Sequence, residues 1–168
     1  PVTVTDFDGV LSDIVVRVNI QHTYTSDLDL RLIAPDGTSV LLASNVGGSG
    51  DDFTGTVFDD GASTPISNGT APFTGSFIPA EPLSRLLDVD PAGTWNLSVE
   101  DFAGADTGQI LDWTLELSGS ELFTQTDTNG GFQMLNLPVG THVLRPEVKD
   151  NWTISGDASY TFTITSPD

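Results

Sequence analysis

The chain has 168 residues, the size of one domain or of one domain with a small appendage. Its 24 acidic residues against five lysines and arginines give a formal net charge of −19, which excludes nucleic acid as an expected partner because that affinity comes from basic contacts. No apolar run approaches the roughly twenty residues that cross a bilayer, so we expect no membrane insertion.

Most of the acidic residues are aspartates, and there is no cysteine. Nineteen of the 24 acids are aspartates, which favour turns and often bind Ca²⁺, and there is no cysteine to form disulfides or thiolate metal sites. We therefore expect a monomeric protein that is secreted or displayed at the cell surface. The strand-like sequence at its start suggests a segment of a longer precursor.

The first clear elements are β-strands. Residues 13–20 are rich in β-branched side chains, and residues 26–34 alternate strictly between leucines and polar residues, which predicts strands. Residues 35–38, Pro-Asp-Gly-Thr, predict a turn, and residues 39–43 predict the strand that returns from it. Residues 26–44 are therefore interpreted as a β-hairpin.

An acidic, glycine-rich stretch follows at residues 47–60. It holds Asp51, Asp52, Asp59 and Asp60 together with four glycines, and two phenylalanines could anchor it to a core. We interpret the stretch as one long loop. Carboxylates crowded on a loop repel one another unless a cation lies among them, and Ca²⁺ takes six to eight such oxygens. The alternative is a solvated acidic loop without a metal.

The next residues continue the all-β pattern. Residues 62–82 predict an irregular segment with one short strand near 74–77, and residues 83–87 are the only candidate helical turn. Alternation at residues 93–101 and 111–117 predicts two further strands, the second with Leu111, Trp113, Leu115 and Leu117 on one face. This pattern predicts an all-β fold, a β-sandwich of the jelly-roll type.

A small β unit is expected after Gly119. This places a first domain at residues 1–118 and a second unit at residues 119–168. Residues 127–130, Asp-Thr-Asn-Gly, predict a hairpin turn in the second unit. Strands are predicted there at residues 121–126, 132–137, 142–147 and 160–165.

Several segments of the first domain contain motifs that occur in the same order and spacing in a known protein family. They are HTYTSDLDLRLIAPDGT (22–38), GGSGDDF and FDDGA (47–62), APFTGSFIP-EPLS (71–84), GTWNLSVED (93–101) and G-x-x-x-x-W-T-L (108–115). Together they resemble the P domain, or Homo B domain, that follows the catalytic domain of subtilisin-like proprotein convertases and occurs in exported bacterial proteins. The resemblance implies a jelly-roll sandwich that is itself non-catalytic and packs on a neighbouring protease domain.

The second unit has a resemblance of its own. The run TDTNGGFQMLNLPVGTHVLRPEVKDNWTIS (126–155) is similar to the Cna-B type repeats of bacterial surface proteins. Met134 and His142 replace the usual aromatic residues, and the opening strands of such a repeat are missing. The resemblance therefore covers only a fragment.

Two further aspartate pairs extend the metal hypothesis. Asp27 and Asp29 lie two apart on a predicted strand, so both should project opposite the leucines, although Arg31 could simply pair with them. We predict one calcium site built from Asp27 and some of the four loop aspartates. Asp101 and Asp106 flank a turn and could hold a second cation or cap the turn instead.

An enzymatic function is not expected. There is no G-x-S-x-G motif, and neither His22 nor His142 lies in a recognisable nucleophile motif. His22 is predicted to be a structural hydrogen-bonding residue at a strand edge. The predicted function is a non-catalytic, calcium-binding accessory module that stabilises or docks an adjacent domain of its precursor, such as a protease domain. The alternatives are an adhesion module of a bacterial surface protein and a carbohydrate-binding module.

Overall fold

The computed structural model describes residues 1–7, 9–120, 123–129, 131–134, 137, 140–146, 153, 156 and 159–165. They belong to two compact units, Pro1–Leu122 (unit 1) and Phe123–Asp168 (unit 2). A search of these described residues finds no helix with the length and apolar character of a membrane span.

Unit 1 contains eight strands among its described residues. In chain order they are Val2–Val4 (β1), Val10–His22 (β2), Leu28–Ile33 (β3), Ser39–Ser44 (β4), Phe53–Asp59 (β5), Phe73–Phe77 (β6), Gly93–Asp101 (β7) and Gly108–Ser120 (β8). Short 3₁₀ helices lie at Thr25–Asp27, Ile66–Asn68 and Leu83–Leu86. The strands form two four-stranded sheets with the orders β1-β7-β3-β4 and β6-β5-β2-β8. All pairings are antiparallel except that of β5 with β6.

The core of unit 1 lies between these sheets. One sheet contributes Leu30, Leu32 and the fully buried Trp95, and the other contributes Val16 and Phe58. Alternating positions face inward because successive side chains of a strand point to opposite faces. The all-β fold class predicted from the sequence is therefore confirmed, and its arrangement is that of a β-sandwich.

The predicted hairpin is confirmed. Strands β3 and β4 pair antiparallel across the turn at residues 35–38. The carboxylate of Asp36 accepts hydrogen bonds from the backbone N–H of Thr38 (2.8 Å) and from its hydroxyl (3.0 Å), which closes the turn. The strands predicted at residues 13–20, 74–77 and 93–101 and the helical turn at 83–87 also correspond to elements of the structure.

The outer edge of β4 is covered by the irregular segment that leads to the third 3₁₀ helix. The backbone N–H groups of Ala80 and Glu81 donate to the carbonyls of Leu42 and Leu41 at 2.9 and 2.8 Å. The Glu81 carboxylate in turn accepts the Leu41 N–H at 2.8 Å, and this bond holds the pKa of Glu81 below its ordinary value. The edge is therefore not available for pairing with another strand.

The interpretation of residues 47–60 as one loop is wrong. Phe53–Asp59 is strand β5, which lies inside its sheet between β2 and β6. Gly55 adopts a left-handed conformation (φ 59°), and its N–H donates to the Asn19 side chain at 2.6 Å, close to a break in the β2–β5 register. The strand thus accommodates glycine at an irregular point, as strand interiors do at bulges. Phe53 and Phe58 are buried, as expected.

The predicted face of the last strand of unit 1 needs one correction. Trp113, Leu115 and Leu117 pack against the core, but Leu111 is 53% exposed. The register between β2 and β8 shifts next to Leu111, because Ile20 pairs with Ile110 and Asn19 pairs with Asp112. A shift in register moves a side chain to the other face of the sheet. The alternation of apolar and polar residues in the sequence does not show where such a shift occurs.

Unit 2 has two paired strands among its described residues. Gly140–Leu144 (β9) and Tyr160–Ile164 (β10) form an antiparallel pair. The strands predicted at 121–126 and 132–137 are wrong where they fall on described residues, because 123–126 and 132–134 are not in strands. The turn at 127–129 is held by the Asp127 carboxylate, which accepts N–H bonds from Asn129 and Gly131 at 2.8 Å. Residues 121, 122, 130, 135, 136 and 147 of the predicted elements lie outside the described residues.

Candidate functional site

The four aspartates of the acidic stretch lie at opposite ends of β5. Asp51 and Asp52 precede the strand, whereas Asp59 ends it and Asp60 follows. Six steps along a strand cover roughly 20 Å, so the two pairs cannot share one ion. The four aspartates therefore lie at two separate places and do not form the single calcium site suggested by the sequence.

Asp59 and Asp60, at the end of β5, accept hydrogen bonds from backbone N–H groups. Asp59 Oδ1 accepts the N–H of Gly61 at 2.7 Å. The two carboxylate oxygens of Asp60 accept the N–H groups of Leu83 and Ser84, both at 2.8 Å, at the start of the third 3₁₀ helix. Asp60 therefore caps a helix start, where backbone N–H groups lack partners within the helix.

Removing the Asp60 carboxylate is expected to destabilise unit 1. Asp60→Ala leaves the N–H groups of Leu83 and Ser84 without their acceptors, which should lower the free energy of unfolding by about 1–2 kcal/mol. Urea unfolding in EDTA, followed by tryptophan fluorescence, measures the change. The exposed Asp51 provides the control, because Asp51→Ala in EDTA should change the value by less than about 0.5 kcal/mol. Equal effects of the two variants would contradict the capping role.

The other pair lies beside His22, the last residue of β2. The backbone N–H of His22 donates to Asp52 Oδ1 at 2.9 Å, and the Asp52 N–H donates to the His22 carbonyl at 3.0 Å. The buried His22 ring has Nδ1 3.0 Å from the Tyr24 carbonyl and Nε2 3.3 Å from Asp101 Oδ2. His22 is thus a hydrogen-bonding residue at a strand end, as the sequence analysis expects.

The second predicted aspartate pair reaches the same end of the sandwich. Asp101 Oδ1 accepts the N–H of Ala103 at 3.1 Å, so this carboxylate both caps its turn and contacts His22. Asp106 accepts the hydroxyl of Thr23 at 3.1 Å. Asp101 and Asp106 thereby contact His22 and Thr23, from which they are separated by 79 and 83 residues in the sequence.

Asp27 and Asp29 do not lie on one strand face as expected. Asp27 is in the first 3₁₀ helix, and its carbonyl accepts the N–H of Phe102 at 2.9 Å. Asp29 is on β3 with Arg31 Nη2 3.8 Å from its carboxylate, which is the ion pair considered as the alternative to a metal. The strand prediction failed at Asp27 because the alternation of residue types continues into the helical turn.

The glycines before β5 are bonded to the first 3₁₀ helix. The N–H groups of Thr25 and Ser26 donate to the carbonyls of Gly50 and Gly48 at 2.9 and 3.3 Å. The buried Thr25 hydroxyl donates to the Val46 carbonyl at 3.0 Å. These bonds fix the glycine loop from within the protein. Thr25 is a residue that sequence reasoning missed, because a single threonine carries no pattern.

Two clefts open beside His22. The first, of about 230 Å³, has four apolar side chains in its lining, and we call it the apolar cleft; its residues are Ile20, Gln21, His22, Leu28, Val99, Asp101, Gly108, Gln109 and Ile110. The second, of about 470 Å³, is the polar cleft, lined by Gln21, His22, Thr23, Asp51, Asp52, Thr107, Gly108 and Gln109. The side chains of Gln21 and Gln109, hydrogen-bonded at 2.8 Å, border both clefts.

The polar cleft has the right donor chemistry for calcium but no preformed cage. Carboxylates, hydroxyls and carbonyls are the ligands that Ca²⁺ takes. Across the described part of the chain, however, no three His, Asp or Glu side chains form a group that could hold a metal ion. An ion in this cleft would therefore need carbonyl or water oxygens in addition to the side chains.

Comparisons with known proteins agree with the fold. Residues 11–117 match the family model of the proprotein convertase P-domain. Leupeptin-inactivating enzyme 1 of Streptomyces exfoliatus is 34% identical over 116 residues, which is 68% of this chain and 21% of that protein. A calcium-dependent protease of Trichormus variabilis is 37% identical over 110 residues, 64% of this chain and 14% of the relative.

A further relative is a transglutaminase-activating metalloprotease of Streptomyces mobaraensis, 32% identical over 116 residues, 68% of this chain and 12% of that protein. The chain thus spans about an eighth to a fifth of the length of the relatives that it matches. The family model, in contrast, covers more than half of the chain. The chain belongs to the proprotein convertase P-domain family.

Proposed function

We propose that this chain is a non-catalytic accessory module that stabilises or docks a neighbouring protease domain of the same precursor. The observation that carries the proposal is the P-domain match over residues 11–117, together with relatives that are named as proteases and are far longer than this chain. The geometry supports a non-catalytic role, because the carboxylates of Asp52, Asp60 and Asp101 are engaged in hydrogen bonds with backbone groups or with the His22 ring. Secretion or display at the cell surface, as a monomer, belongs to the same proposal.

The precursor provides the test of this function. We expect its coding sequence to include a protease domain, and deletion of residues 1–118 should reduce the yield of folded protease. The activity per folded protease molecule should change little, because the module contributes no reacting group. A complete coding sequence without a protease domain, or a lost catalytic step with unchanged yield, would contradict the proposal.

The proposal includes calcium, which two relatives carry in their names as calcium-dependent proteases. We place the ion in the polar cleft, with Asp51 and Asp52 as carboxylate ligands and with carbonyl or water oxygens completing its coordination. Bound there, calcium would neutralise these carboxylates and fix the glycine loop next to β5. The other aspartates predicted from the sequence do not line this cleft, and we leave them out; they are Asp27, Asp29, Asp59, Asp60, Asp101 and Asp106.

Calcium is expected to raise the melting temperature of the chain by several degrees relative to EDTA. An ion that binds only the folded state stabilises it by RT ln(1 + [L]/Kd), about 2.7 kcal/mol at a hundredfold excess over Kd. Scanning calorimetry in millimolar CaCl₂ and in EDTA measures the shift. Asp51→Asn should remove most of it, whereas Asp59→Asn, at the other end of β5, should retain it. An unchanged melting temperature in the parent chain would contradict calcium binding.

A further inference from the structure

We propose that the apolar cleft receives a lysine or arginine side chain, flanked by apolar residues, from a docking polypeptide. This inference rests on the proposed docking function and specifies the surface that performs it. The polypeptide is the neighbouring domain in that proposal. Its chemistry is set by the walls, the rim and the charge of the cleft.

The walls of the cleft suit the aliphatic part of a long basic side chain. Ile20, Leu28, Val99 and Ile110 supply apolar surface, and Asp101 stands among them with its side chain 32% exposed. Lysine and arginine bury their methylene stems along apolar surface and keep the charged head at a polar boundary. A calcium ion requires many oxygen ligands, which an apolar wall does not provide.

Exposed apolar residues include Ile110 in the cleft lining and the sequence neighbours of Asp101 and Ile110. Phe102 is 67% exposed and directly follows Asp101, while Ile110 is 43% exposed and directly precedes the exposed Leu111. The shifted register of β8 is what leaves Leu111 on the outside. Exposed apolar surface is typical of protein interaction sites. Apolar residues on either side of the incoming basic residue would cover it.

The arginines of unit 1 all lie against carboxylates other than Asp101. The sequence of unit 1 contains three arginines and no lysine. Arg17, Arg31 and Arg85 lie against Glu116, Asp29 and Glu81, respectively, at 2.7, 3.8 and 2.7 Å. Asp101 contacts only the His22 ring among the basic side chains described. A complementary positive group on a partner would therefore increase both attraction and specificity.

The experiment uses two peptides as probes, acetyl-Leu-Arg-Leu-amide and the same peptide with citrulline in place of arginine. Citrulline has nearly the same shape but no charge. The ¹⁵N-labelled 168-residue chain is titrated in EDTA and followed by heteronuclear NMR. We expect the arginine peptide to shift the amides of Gln21, His22 and Gly108 with millimolar affinity. The citrulline peptide should bind at least tenfold more weakly.

Two variants test the two halves of the cleft separately. Asp101→Asn removes the charge and retains an acceptor for the Ala103 N–H, whereas Ile110→Gln removes apolar rim without altering charge. Each should weaken the arginine peptide at least fivefold. Asp13→Asn, an exposed aspartate near the other end of β2, is the matched control and should leave binding unchanged. Amide dispersion of each variant confirms its fold, so that lost binding is not confused with unfolding.

Four results would overturn the inference. They are no shift with either peptide, equal binding of the two peptides, shifts confined to amides away from the apolar cleft, and self-association of the chain that Asp101→Asn abolishes, which would make a second copy the occupant. The proposed accessory function fails differently. A precursor without a protease domain would contradict that function but would not affect peptide binding. A titration in which neither peptide shifts any amide would not affect the loss of folded protease expected when residues 1–118 are deleted.

Discussion

Replacing Gly47 by alanine is expected to lower the free energy of unfolding of unit 1 by about 3 kcal/mol. Gly47 has φ 85°, where a residue with a Cβ is strained by roughly 1–2 kcal/mol. An added Cβ would also come within 2.3 Å of Thr25 Oγ1 and 2.8 Å of the Phe73 ring. Both neighbours are buried, so relieving this overlap should cost a further 1–3 kcal/mol, about the usual penalty of overpacking.

Gly48 offers a matched control for this substitution. It has φ 57°, and an added Cβ there would meet no atom within 4 Å. Gly48→Ala should therefore cost about 1 kcal/mol or less, from backbone strain alone. Urea unfolding followed by tryptophan fluorescence compares the two variants. If they were equally destabilised, the close packing of the glycine loop on Thr25 and Phe73 would not be what selects glycine at position 47.

Replacing Phe53 by alanine is expected to cost about 4 kcal/mol, the larger of the two effects. Phe53 is 1% exposed and stacks on Phe73 with ring centroids 4.8 Å apart. Truncating a buried phenylalanine loses its transfer free energy and leaves a cavity, typically 3–5 kcal/mol in total. Because Phe53 begins β5, the loss also weakens the segment that holds Asp51 and Asp52 beside His22.

The exposed Phe102 is the control for Phe53. Phe102→Ala should change the free energy of unfolding by less than about 0.5 kcal/mol, because its side chain is mostly in solvent. Denaturant unfolding of both variants measures the difference. A small effect of Phe53→Ala would mean that β5 is not part of the cooperative core, and the sandwich described for unit 1 would need revision.

Much of the fold followed from local patterns. Apart from the start at Asp27, alternation in residues 26–34 and 93–101 correctly identified strands and the residues that face the core, because a strand turns every second side chain to the same face. The turn at Asp36 was equally local, since its bonds reach only two residues along the chain. Such features need no knowledge of distant neighbours.

The errors occurred where distant pairing overrides local preference. The stretch 47–60 has the glycine and aspartate content of a loop, yet β2 and β6 pair with residues 53–59 from both sides and make them a strand. Leu111 fits the alternation of its strand, but the shifted pairing with β2 turns it outward. The predicted calcium site depended on the loop interpretation. Because residues 53–59 form a strand, the two pairs of aspartates lie at its opposite ends.

The sequence by itself determined that the first domain is a sandwich of short strands, rich in aspartate at its turns, with the motif order of a P domain. Only the tertiary structure decided which of those aspartates meet. Asp52 and Asp101 come together at His22 although they are 30 and 79 residues away from it. The reason is physical: side-chain periodicity is fixed within a strand, whereas the neighbours of a strand end depend on how distant strands pair and where their register shifts.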